Sequence, residues 1–152
     1  MANDPIGEIQ FAIDKFIFRF PQNLRYSRDG LWVMQEGSVL RIGISDFVQQ
    51  RNGDIAFATL IPAETNVKAG DEIASIETVK VNFSLPSPVS GKVVEINASL
   101  QNSPELINLE PYGKGWLVAL QPSDPEGDLG ALMTSEEYSN WARQLAEAEM
   151  RS

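Results

Sequence analysis

Cysteine and histidine are both absent from this 152-residue chain. Without them there is no thiol nucleophile, no imidazole base, no Ser-His-Asp triad and none of the usual zinc ligand sets. Disulfides are excluded too, and any redox chemistry has to come from a cofactor. Positive charge is scarce: 12 Lys and Arg stand against 21 Asp and Glu, a formal net charge of −9. So acidic a surface is a poor match for nucleic acid, whose phosphates are neutralised by Lys and Arg. It leaves open steering towards basic patches on partner proteins. No apolar run approaches the roughly 18 residues of a membrane span. Asp4, Glu8 and Asp14 interrupt the apolar stretch 6–20, and no small-residue cleavage site follows, so no secretory signal is expected. The expectation is a soluble, cytoplasmic, monomeric protein.

The elements present divide the chain into three. Asp4 and Pro5 suit an N-cap and first helical position, and Ile6, Ile9, Ile13, Phe16 and Phe20 recur at helical spacing. This predicts an amphipathic helix over roughly 5–19 within an N-terminal extension, 1–25; Phe11 and Phe18 lie off its stripe and are assigned a second packing contact. From 31 to 120 the pattern changes to short apolar runs separated by Gly and Pro. Strands are expected at 31–35, 39–44, 55–61, 72–77, 79–85, 91–96 and 116–120, with single helical turns at 45–50 and 103–108. Seven short strands at this spacing read as a mainly β fold, a sandwich or flattened barrel, occupying 26–125. Thr134 and Glu137 fit a capping box. Tyr138, Trp141, Leu145 and Ala148 would form the docking face of a C-terminal helix within 126–152. Trp32 and Trp116 read as core residues.

The stretch most suggestive of function runs from Gly70 to Gly91. Ile73, Ala74 and Ile76 belong to one strand and Val81, Phe83 and Leu85 to the next, with Glu77-Thr78-Val79-Lys80 between them. A tight turn there presents one amine on a rigid base. By periodicity alone Lys80 is a solvated surface lysine.

The motif adds a second reading. Glu77-Thr78-Val79-Lys80 resembles the Glu-Ser/Thr-Val/Ile-Lys signature of the glycine cleavage system H-protein family and related lipoyl carriers. The resemblance continues in Pro88-Val89-Ser90-Gly91, in Val93 to Asn97, in Pro104 to Asn108 and in Pro111 to Leu117, in order and at the right spacing, over about residues 26–145. It implies the lipoyl/biotinyl-carrier hammerhead fold, here with an N-terminal and a C-terminal helix. It also implies a lipoic acid cofactor in amide linkage to Lys80. The arm would be the carrier of an aminomethyl group between glycine decarboxylase, aminomethyltransferase and dihydrolipoamide dehydrogenase, after attachment by a lipoate ligase or lipoyltransferase. The chain itself would be a non-catalytic carrier with no metal site. Glu77 is a candidate recognition element for the attaching enzyme, beside the plainer reading of a solvated carboxylate. Biotin carriers flank their lysine with Met; here Val79 and Val81 stand in those places.

Departures from the family pattern bear on the partner. Gly30-Leu31-Trp32-Val33 replaces His-Glu-Trp-Val, Ser84 stands where an acid is common, and Glu110 precedes Pro-Tyr-Gly in place of Asp. These changes are expected on surfaces near the arm. They keep a second resemblance in play, to H-protein-like lipoate-binding proteins that carry sulfur with heterodisulfide-reductase-like complexes in sulfur oxidation.

Overall fold

The computed structural model describes residues 7–150. Its first elements correct the expectation of an N-terminal helix: strands β1 (Glu8–Ile13) and β2 (Phe16–Pro21) form an antiparallel hairpin, in register from Glu8↔Pro21 to Ile13↔Phe16. Asp4, Pro5 and Ile6, the expected start of that helix, lie outside the described residues. Ile9, Phe11 and Ile13 alternate along β1, and Phe16, Phe18 and Phe20 along β2. The two-residue turn Asp14-Lys15, with Asp14 at φ 58, brings both sets to one face. Phe11 and Phe18, which a helix would leave off its stripe, are buried there, 5.2 Å apart between ring centroids. Aromatic and β-branched residues favour this half-buried pleat.

The remaining strands are β3 (Arg25–Tyr26), β4 (Leu31–Glu36), β5 (Val39–Ile44), β6 (Ile55–Leu60), β7 (Asn66–Val67), β8 (Glu72–Thr78), β9 (Asn82–Pro86), β10 (Gly91–Ile96) and β11 (Val118–Pro122). One sheet has six strands in the order β3-β4-β5-β11-β10-β7, and a second has three in the order β6-β8-β9. The mainly β expectation holds, with open sheets in place of a closed barrel. The expected strand 79–85 begins only at Asn82, because Val79, Lys80 and Val81 are the hairpin tip. The two-residue strands β3 and β7 were not anticipated.

The six-stranded sheet is covered on both faces. Leu31, Val33, Ile42 and Ile44 pack with Ile73, Ile76 and Leu85 of the smaller sheet. Trp32, which points the other way along β4, joins Phe11, Phe18, Phe20, Phe47 and Tyr138 in a second, aromatic cluster. Burial of each such side chain contributes about 1.5–3 kcal/mol. The Trp32 indole N–H, enclosed with its ring, donates to the Pro111 carbonyl at 2.8 Å. Trp116 is only half-buried, beneath the Arg41 guanidinium at 4.2 Å.

Among the described residues there are also four α-helices, α1 (Asp46–Asn52), α2 (Leu106–Leu109), α3 (Pro125–Gly130) and α4 (Ser135–Met150), and a 3-10 turn at Ala98–Gln101. Ser45 caps α1 by accepting from the Val48 amide. The Thr134–Glu137 capping box forms as expected, with reciprocal bonds of 2.9 and 3.2 Å. On α4 the docking face includes Tyr138, Trp141, Ala142, Leu145 and Ala146, whereas Ala148 is exposed. Among the described residues no helix is long and apolar enough to cross a membrane.

Candidate functional site

Strands β8 and β9 pair from Glu72↔Pro86 to Glu77↔Asn82, which leaves Thr78, Val79, Lys80 and Val81 as the connection. None of the four is Gly or Pro, and none has a positive φ. The conformation is held instead by one side chain. The Thr78 hydroxyl accepts from the Lys80 amide at 3.1 Å and the Val81 amide at 3.0 Å, and donates to the Val81 carbonyl at 3.0 Å. A backbone bond from the Thr78 amide to the same carbonyl, 2.9 Å, closes the turn. Such local bonds suit Thr at turns.

The base beneath the tip is anchored from outside the hairpin. Thr78 pairs with Ile55 across β6–β8. The Asn108 carboxamide accepts from the Ile55 amide at 2.9 Å and donates to the Gly53 carbonyl at 3.0 Å. Gly53 terminates α1 at φ 80, a conformation that favours glycine. A Cβ there would lie 3.6 Å from Lys80 Cε, so the lysine stem rests beside the end of α1.

Lys80 is exposed between Val79, 86% exposed, and Val81, 45% exposed. Among the described residues its ammonium forms no ion pair, whereas Lys92 is paired with Glu64 at 2.9 Å. The site thus offers a single unpaired amine on an ordered base, open to a large approaching molecule. Glu77 is exposed on β8 opposite Asn82 and likewise forms no ion pair among the described residues. Ser84 is exposed on β9, three residues beyond Val81.

Gly30 and Leu31 sit otherwise than expected. Leu31 is wholly buried in the main core, and Gly30 holds φ +89. A Cβ on Gly30 would stand 2.1 Å from Val48 Cγ2 and 3.1 Å from the Tyr138 hydroxyl. Neither position faces solvent: Val48 of α1 and Tyr138 of α4 close over Gly30, and Leu31 lies within the main core. Thr78 and Asn108 were not singled out as site residues, although both lie inside the sequence blocks that suggested the site.

The chain is similar to known proteins over most of its length. The family described as Glycine cleavage H-protein matches residues 24–145. The glycine cleavage system H protein of Oceanobacillus iheyensis is 48% identical over 118 residues, 78% of this chain and 93% of that protein. That of Bacillus licheniformis is 41% identical over 124 residues, 82% of this chain and 97% of that one. The crystal structure of a glycine cleavage system H protein from Mycobacterium marinum superposes with a TM-score of 0.71 at 31% identity, covering 80% of this chain and 97% of that chain. The hairpin β1–β2 precedes the matched region. On the ordered motif blocks, the exposed lysine hairpin and these matches, the chain belongs to the glycine cleavage H-protein family.

Proposed function

We propose that this protein is a lipoyl carrier of the glycine cleavage system, with lipoic acid bound through an amide to the Lys80 amine. The observation that carries the reading is the lysine itself: exposed, unpaired among the described residues, and mounted at the tip of a hairpin fixed by Thr78. These residues fit the group: among the described residues the charge that acylation removes is in no ion pair, and the amine stands at an exposed tip. When bound there, the lipoyl group supplies a dithiolane for thiol–disulfide chemistry and for carriage of an aminomethyl group.

The chain's own residues present and hold. Thr78 orders the turn, Asn108 ties the base to β6 and α1, and Gly53 leaves the lysine stem beside the helix end. The proposed partners are the attaching lipoate ligase or lipoyltransferase, glycine decarboxylase, aminomethyltransferase and dihydrolipoamide dehydrogenase, with the chain itself non-catalytic and cytoplasmic. An acidic surface suits steering towards basic patches on such partners. Glu77, exposed three residues before Lys80, is proposed as a contact for the attaching enzyme. No observation favours sulfur carriage: the relatives compared are glycine cleavage H proteins, and Gly30 and Leu31 are buried positions away from the solvent.

The test is glycine-dependent bicarbonate exchange by a decarboxylase from the same source, with the lipoylated protein added. Exchange that requires both the protein and its lipoyl group supports the reading. Absence of exchange, with sulfur loading by a sulfurtransferase, overturns it.

A further inference from the structure

We propose that Thr78 is a positioning residue for acylation of Lys80: its hydroxyl sets the backbone shape by which an acyl-transferring enzyme takes the lysine. The inference rests on the lipoyl-carrier reading and assigns a residue to the attachment step.

The argument begins from what the tip lacks. A four-residue connection without Gly, Pro or a left-handed residue has no residue that restricts its dihedrals to one conformation, and one backbone bond closes it. The three residues after Thr78 are exposed, so packing does not select one either. The hydrogen bonds within the tip converge on Thr78: its hydroxyl serves the Lys80 and Val81 amides and the Val81 carbonyl, and its own amide serves that carbonyl again. Thr78 is itself immobilised, being 9% exposed and paired with Ile55. One buried hydroxyl therefore transmits the order of the sheet to the exposed lysine.

Attachment forms the bond between Lys80 Nζ and the lipoyl acyl carbon. It breaks the bond from that carbon to the activating group of an enzyme-held acyl donor, such as an acyl adenylate, which leaves with the electron pair. The ammonium gives up two protons to become the amide N–H. Such a transfer demands a fixed approach of amine to carbonyl. An unordered tip has to be ordered at the moment of binding. Thr78→Val retains size and branching but removes the donor and the acceptor. The two amides it releases are at an exposed turn, where water replaces the hydroxyl, so the fold is expected to stand.

The experiment uses the full-length, unmodified protein with a lipoate ligase. It measures kcat/KM for attachment, labelling of Lys80 by a small amine-reactive acetylating reagent, and hydrogen exchange at the amides of residues 80 and 81. In Thr78→Val, kcat/KM should fall by about tenfold, the effect of having to order roughly one residue of loop. Exchange at both amides should quicken, while small-reagent labelling and the melting temperature stay at wild-type values. Thr78→Ser, which keeps the hydroxyl, should be modified at the wild-type rate. A Val variant modified as fast as wild type overturns the proposal. So does a Ser variant as slow as the Val variant, or small-reagent labelling that falls in parallel with the enzymatic rate. A wild-type protein that accepts no lipoyl group would instead remove the carrier reading, and this inference with it.

Discussion

The Tyr112 hydroxyl donates to the Arg19 carbonyl at 2.6 Å, joining the connection between α2 and β11 to a strand 93 residues earlier. The same hydroxyl accepts from the Asp46 amide at 3.0 Å, and the Asp46 carboxylate accepts from the Arg19 amide at 3.0 Å. Gln50 adds a bond to the Ile17 carbonyl at 2.8 Å. The outer edge of β2 is thereby stitched to α1, while Phe11, Phe18 and Phe20 of the hairpin fill the aromatic cluster beneath it.

Tyr112→Phe should loosen that seam without touching the lysine tip. Removing one hydroxyl from two backbone partners is expected to cost about 1–3 kcal/mol. Denaturant unfolding would show the loss, and hydrogen exchange would place it at Arg19 and Asp46. Lipoylation of Lys80 should proceed at the wild-type rate. Unchanged stability would mean that water satisfies these groups as well as the phenol does.

Asn108→Ala removes the carboxamide that joins Ile55, Gly53 and, at 3.0 Å, Gln49. A loss of about 1–3 kcal/mol is expected for the half-buried partners left unmet. Amide exchange should accelerate at Ile55 and, through the β6–β8 pairing, at Thr78. Exchange unaltered at both would show that the lysine hairpin stands without this anchor.

What could be read in advance divides along physical lines. The exposed lysine hairpin and the family's ordered blocks were legible because their residue types fall in order within short spans. The N-terminal segment was ambiguous, because Ile9, Ile13, Phe16 and Phe20 satisfy a helical stripe and also a hairpin folded at Asp14-Lys15. Phe11 and Phe18 decide the matter: they are surplus in a helix and necessary on the buried face of two strands. Gly30 and Leu31 read as lost polar contacts because neither a positive φ nor the approach of Val48 and Tyr138 is visible in a linear pattern. Asn108 lies more than fifty residues from its partners, and only the fold brings them together.

All three tyrosines should resist alkali. Burial raises Tyr26 and Tyr112 well above the ordinary phenol range, and burial pushes Tyr138 up to about 12 against a bond from Ser45 that lowers it. The folded state therefore favours the neutral phenol, and its contribution is fully present below the unfolded value of 10.0. As pH rises above that value the unfolded chain binds fewer protons than the folded one, so stability falls; for Tyr138 the loss runs from 10.0 to about 12. Phenolate absorbance should stay low until the protein unfolds cooperatively. A smooth titration near pH 10 with the fold intact, seen by circular dichroism, would contradict the buried tyrosine layer.

The carrier reading stands or falls on where a lipoyl group is found. Intact-mass and peptide analysis of the protein from a lipoate-competent host, beside Lys80→Arg, tests it most directly. The account predicts a single lipoyl adduct on Lys80 in the wild type, and none in Lys80→Arg. The variant should keep its melting behaviour to within about 0.5 kcal/mol, since an exposed side chain with no ion pair among the described residues is exchanged for another cation. An adduct on Lys68 or Lys92, persistence of modification in Lys80→Arg, or an unmodified wild type would contradict it.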